Sequence, residues 1–103
     1  MPVYVIGEVE INDPAAYGEY IKLAPPAIAS YGGRYLVRGG AVEPREGDWN
    51  PARVVVLEFP TMERARSWYA SPEYAPALAI RQRCAKTRMI FVEGVEPPRS
   101  VIP

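Results

Sequence analysis

The chain has 103 residues, 49% of them hydrophobic, which is enough for one domain with a core and too little for two. Its 12 Lys and Arg balance 12 Asp and Glu, so it lacks the surplus positive charge that grips nucleic acid by counterion release, and no nucleic-acid partner is expected. No apolar run nears the roughly 20 residues of a membrane span, the N-terminus MPVYVIGEVEI lacks the basic segment and cleavage site of a signal peptide, and a single cysteine suits a reducing compartment, so a cytoplasmic protein with no membrane partner is expected.

Val3 to Ile11, rich in Val, Ile and Tyr, is predicted as the first strand. Asp13 followed by Pro14 starts a helix, since an aspartate caps free N–H groups and proline at the first position misses none. Tyr17, Ile21, Ala24, Ile28 and Tyr31 form its apolar stripe. Pro25-Pro26 predicts a kink there, or a stop and restart, and Gly32-Gly33 ends the helix. Arg34 to Val42 is predicted as the second strand, with Gly39-Gly40 marking a bulge or a close backbone approach. After a loop over Glu43 to Pro51, Arg53 to Phe59 is the third strand. Thr61 caps a second helix with Ala65, Trp68 and Tyr69 inward. Ser71-Pro72 repeats that signature before a helix bearing Tyr74, Leu78, Arg81 and Ala85. Thr87 to Val95 is predicted as the last strand.

The order strand, helix, strand, strand, helix in two pieces, strand is the split βαβ pattern of an α+β, ferredoxin-like domain. Its four-stranded antiparallel sheet is expected in the order 4-1-3-2, with the helices on one face. Residues 1–95 form this domain, and the Pro-rich tail 96–103 is either disordered or an arm laid on a partner through Val101 and Ile102.

A half-exposed sheet alternates apolar and polar residues, and these strands do not. Val55, Leu57 and Phe59 oppose Val54 and Val56; Met89 and Phe91 oppose Ile90 and Val92; Val3, Val5 and Val9 oppose Tyr4 and Ile6. Helices cover one face only, leaving an apolar patch on the order of several hundred Å². The expected cover is the same face of a second copy, a homodimer; the competing expectation is a monomer whose own tail folds over the sheet.

The run from Tyr31-Gly32-Gly33-Arg34-Tyr35-Leu36-Val37-Arg38-Gly39-Gly40 continues through Glu46-Gly47-Asp48-Trp49 and Arg53-Val54-Val55-Val56-Leu57-Glu58-Phe59-Pro60. It ends with Trp68-Tyr69-Ala70-Ser71-Pro72-Glu73-Tyr74. Together these segments resemble the domain-of-unknown-function family 1330 of the dimeric α/β-barrel superfamily, over roughly residues 2 to 95. The resemblance implies a ferredoxin-like protomer and a barrel-forming homodimer, and it implies no reaction. The wider superfamily includes haem enzymes, cofactor-independent monooxygenases and lactone isomerases, and its haem branches rely on a histidine ligand.

This chain contains no histidine, which removes His-based triads, His-ligated zinc and proximal-His haem, so neither a metal nor a cofactor is expected. Carboxylates, tyrosines and arginines remain. Glu58, Glu8 and Tyr17 are the candidate catalytic residues: a carboxylate beside an apolar wall has a raised pKa and can move a proton. In the expected register Glu58 and Glu93 lie beside Tyr4, and Glu8 lies near Arg53 or the second-strand arginines. The competing expectation is that these carboxylates form structural ion pairs. Arg38 leads the candidate ligand-binding residues, since arginine grips a carboxylate or phosphate in two prongs and Gly39 beside it exposes backbone N–H groups. Tyr4, Trp49 and Tyr20 complete that set, with packing or dimer contacts as their alternative. Arg81, Arg83, Lys86 and Arg88 read as a solvated basic face, and Cys84 as a small buried hydrophobe. The leading expectation is a protein that binds or turns over a small organic acid or carbonyl compound without metal or haem, with a stress or detoxification role as a weaker variant. The alternative is a non-catalytic dimeric module that senses a ligand or binds a protein.

Overall fold

The computed structural model describes residues 1–95; the tail 96–103, with both readings of it, lies outside the described residues. β1 is Val3–Ile11, where branched and aromatic side chains favour the extended chain. Asp13 then caps α1, Pro14–Ser30, its carboxylate accepting the Ala16 N–H at 3.2 Å. α1 neither stops nor restarts at Pro25-Pro26; it runs through both prolines as one helix. Pro25 removes the N–H that would bond the Ile21 carbonyl, and the Arg38 guanidinium donates to that carbonyl instead, at 3.4 Å. Gly32, at φ +82°, closes the helix as Gly32 and Gly33 return their N–H groups to Ala29 and Ile28, each at 3.0 Å. A Cβ on Gly33 would lie 2.5 Å from the Phe59 ring, so only glycine lets the chain leave α1 against the sheet.

β2 is Arg34–Arg38 and β3 is Val54–Phe59. β2 ends four residues short of the predicted Val42: Gly39 turns at φ +75° and its N–H bonds the Val54 carbonyl at 2.9 Å, so the ladder stops there. The bulge lies between Tyr35 and Val37 rather than at the glycines. α2 is Met62–Tyr69, capped by Thr61, whose hydroxyl accepts the Arg64 N–H at 3.1 Å. Ser71 caps a turn through Tyr74, accepting its N–H at 3.0 Å, and α3, Ala75–Cys84, follows that turn. β4, Ala85–Glu93, joins α3 directly, so it begins and ends two residues before the predicted bounds. The length of β1 sets this, since the β4 partners run from Glu93 opposite Val3 to Ala85 opposite Ile11.

All neighbouring strands are antiparallel, in the predicted order β2-β3-β1-β4. The inner face carries Val3, Val5, Val55, Leu57 and Phe59, which pack with Ala24 and Ile28 of α1, Ala65 and Trp68 of α2, and Tyr74 and Ala77 around α3. Trp68 is the hub, its ring 4.4 Å from Tyr74 and 5.2 Å from Phe59, arrangements that add to plain area burial. The helices therefore share one face of the sheet. The other face presents Tyr4, Ile6, Val54, Val56, Ile90 and Val92, among which Ile90 is 60% exposed. Among the described residues no helix is long and apolar enough to cross a membrane.

Candidate functional site

One stripe of α1 sets Tyr17, Tyr20, Ile21 and Ile28 over the sheet, where Val5, Gly7, Val9, Val55 and Leu57 form a floor. Arg38 and Tyr35 of β2 and Arg53 ahead of β3 close one side, and Arg81 of α3, Trp68 and Met89 the other. Between them lies a cavity of about 30 Å³. A water needs about 10–15 Å³ of such space and drug-sized ligands use about 300–1,000 Å³, so the cavity suits a short molecule or a small group of a larger one.

Three arginines meet this cleft, each against a tyrosine. The Arg38 Cζ lies 4.4 Å from the Tyr35 ring centre, that of Arg53 5.6 Å from Tyr17, and that of Arg81 5.9 Å from Tyr20. Arg81 is only 5% exposed. Its Nε and that of Arg53 are buried with no hydrogen-bond partner among the described residues. Among the described residues no carboxylate lines the cleft. Burial works against the charge of Arg81, but the Tyr74 and Tyr20 hydroxyls outweigh it and the guanidinium stays protonated. The Tyr20 and Tyr74 hydroxyls share a hydrogen bond at 2.7 Å. Burial first, and then Tyr74, hold the Tyr20 hydroxyl far above the usual tyrosine range. Burial also raises Tyr35, with Arg38 pulling the other way. At neutral pH Tyr20 and Tyr35 are therefore protonated, so among the described residues the cleft offers cations and O–H donors but no anion. Such a lining accepts an oxyanion or stabilises one as it develops.

Of the candidate residues, Tyr17, Tyr20 and Arg38 come together here. Gly39 stands beside them: a Cβ on it would overlap the Arg53 guanidinium, so glycine makes room for that cation. Its close approach is thus to a side chain of its own protein. Glu58, Glu8 and Tyr4 lie on the opposite face of the sheet, because strand alternation points them away from the helices. Glu58 faces Tyr4, as the predicted register requires, and its carboxylate takes the Arg34 Nε–H at 2.7 Å. Glu8 pairs with Arg88 of β4 at 2.6 Å, not with Arg53 or a β2 arginine, because β1 and β4 place the two directly opposite. Both carboxylates form ion pairs, and neither reaches the cleft as a proton carrier. Trp49, 57% exposed in the 39–53 loop, lies away from it too.

Sequence reasoning placed Arg81 on a solvated face, and the structure buries it. The signal was present: Arg81 falls on the inward stripe of a helix, APALAIRQRC, that holds no acid to pair with it. From sequence Arg53 reads as an ion-pair partner for the strand carboxylates, whereas in the structure it lines the cleft.

The model of a family described as "Domain of unknown function (DUF1330)" matches residues 2–95. No curated protein matches the sequence significantly. Among solved structures, a protein of unknown function from Rhodopseudomonas palustris superposes with a TM-score of 0.73 at 20% identity, over 93% of this chain and 84% of that one. SnoaB, a cofactor-independent oxygenase from Streptomyces nogalater, superposes at 0.67 with 13% identity, over 95% and 97% of the two chains. A hypothetical protein of Arabidopsis thaliana superposes at 0.65 with 15% identity, over 94% and 91%. At these identities the likeness is one of fold.

Proposed function

The chain belongs to the DUF1330 family, and since that membership names no reaction, we propose from the cleft itself that the protein binds a small organic acid, or a carbonyl compound on which negative charge develops. The observation that carries this reading is the pair of buried arginine Nε groups, on Arg53 and Arg81, that find no partner among the described residues, in a cleft that none of the described carboxylates lines. A ligand oxyanion supplies the missing acceptors, and leaving such donors unmet costs about 1–3 kcal/mol each. Arg38 flanks the cleft from β2, and Tyr17 and Tyr20 direct the ligand's oxygen. The cofactor-independent oxygenase SnoaB shares the fold, which supports metal-free and haem-free chemistry on this scaffold without assigning any residue to it.

The active unit in this proposal is a homodimer joined through the outer sheet face. That face exposes Ile90, Val92, Val37 and Leu36, while Arg34–Glu58 and Arg88–Glu8 pair within the chain. An apolar centre flanked by self-neutralised charges suits a second copy under two-fold symmetry. Sedimentation at micromolar concentration should give twice the 11.5 kDa chain mass.

The functional test is a thermal-shift screen of small organic acids and carbonyl compounds at constant ionic strength. Acids should raise the melting temperature of the wild type and should fail to raise that of Arg38→Ala or Tyr17→Phe. An unshifted wild type across the whole screen would reject the reading.

A further inference from the structure

Arg81 borders two spaces. One is the inner cavity; the other is a depression of about 340 Å³ between the helices and β4, lined also by Tyr69, Gln82, Thr87 and Met89. Met89 borders both as well, so Arg81 and Met89 form the partition between them. Two buried atoms of residues that border the depression have no hydrogen-bond partner among the described residues: the Arg81 Nε and the Thr87 Oγ1. Buried polar atoms are nearly always paired. The Nε–H only donates and the hydroxyl donates readily, so one acceptor-rich group would satisfy both. Among the described residues no carboxylate borders the depression. The inner cavity behind Met89 has an apolar floor at Val5, Val55 and Leu57 and is small, about 30 Å³, whereas a benzene ring occupies a cavity of about 150 Å³.

We propose that the β4-side depression is the entrance and carboxylate subsite of the cleft, where Arg81 and Thr87 hold the acid group of a short-chain aliphatic carboxylate whose carbons pass Met89 towards Val5 and Leu57. The flexible thioether of Met89 suits a gate, since it changes shape at little cost. This inference rests on the reading of the cleft as an anion site and adds the ligand's size and the end that is held.

The test is NMR titration of the full-length protein with propionate, its neutral counterpart propionamide, and benzoate, at matched ionic strength. Propionate should bind saturably, and propionamide and benzoate at least tenfold more weakly. Thr87→Val should raise the melting temperature of the free protein, because it deletes an unpaired buried hydroxyl, yet weaken propionate at least fivefold. Arg81→Lys, which keeps the charge and loses the Nε–H, should weaken it comparably. If Thr87→Val does not fold, Thr87→Ser against Thr87→Ala tests the same hydroxyl, and only the alanine variant should lose affinity. Wild-type propionate affinity in the hydroxyl-deleted and Arg81→Lys variants, together with its loss in Arg38→Ala, would overturn the subsite and leave the cleft reading standing. No binding of any acid or carbonyl compound to the wild type would overturn both.

Discussion

Replacing Gly39 with alanine separates backbone strain from the placement of Arg53. Gly39 and Gly47 share a φ of +75°, in the left-handed region. A Cβ at Gly47 would meet nothing within 4 Å, whereas at Gly39 it would overlap the Arg53 guanidinium. The left-handed conformation costs alanine about 1–2 kcal/mol, and the stiffer unfolded chain returns about 0.4–1 kcal/mol. Each variant should therefore lose about 1 kcal/mol, or about 4–8 °C in melting temperature for a domain of this size. Gly39→Ala must also swing Arg53 away from Tyr17. Arg53 and Thr87 flank Val9 of β1 from opposite sides, about 10 Å apart at two strand spacings, and a cation about 10 Å from an oxyanion, in an effective dielectric of about 20, contributes about 1.7 kcal/mol before screening. Even half of that predicts about fourfold weaker propionate binding. Urea unfolding followed by tryptophan fluorescence gives the stability and NMR titration the affinity. Equal affinities for Gly39→Ala and wild type, or an equal loss in Gly47→Ala, would refute the assignment of Arg53 to the cleft.

Trp68→Ala should destabilise by about 3–5 kcal/mol in denaturant titration, since Trp68 is fully buried at the aromatic hub. Ile90→Lys should convert the proposed dimer to a monomer in sedimentation equilibrium with its circular dichroism intact, because it places a charge in the apolar outer face; an undiminished dimer would place the interface elsewhere. The contribution of the Tyr20 hydroxyl to stability should be level up to about pH 10 and fall above it. The reason is that an unfolded tyrosine releases its proton near that pH, while burial keeps the Tyr20 proton in place when folded, so rising pH favours the unfolded chain. Tyr20→Phe should flatten that decline in pH-dependent melting.

Strand order and helix placement were legible because both derive from local signals: the apolar strands, the Asp13 and Thr61 caps, and the Gly32-Gly33 stop. The Tyr4–Glu58 register followed from that topology. The stop-and-restart reading of Pro25-Pro26 fails because tertiary contact overrides propensity: Arg38, distant in sequence, takes up the carbonyl that Pro25 leaves free. Half of the site was readable, since Tyr17 and Tyr20 sit on a helical stripe and Arg38 on the inner face of an edge strand. Glu8 and Glu58 were attractive by chemistry alone, and strand parity, countable from the sequence, turns them to the outer face. Arg81 was hidden by its basic neighbours Arg83, Lys86 and Arg88, which are exposed as expected, while the inward stripe of α3 buries Arg81.

The most direct test of the anion cleft follows the Nε–H resonances of Arg53 and Arg81 by heteronuclear NMR as propionate is added to the wild type. The Arg81 resonance should move downfield and sharpen along one saturable curve as its donor gains the acid group, and the Arg53 resonance, from across the cavity, should follow the same curve with a smaller shift. Resonances that stay fixed while propionate reaches saturation elsewhere, or that respond equally to propionamide, would contradict it.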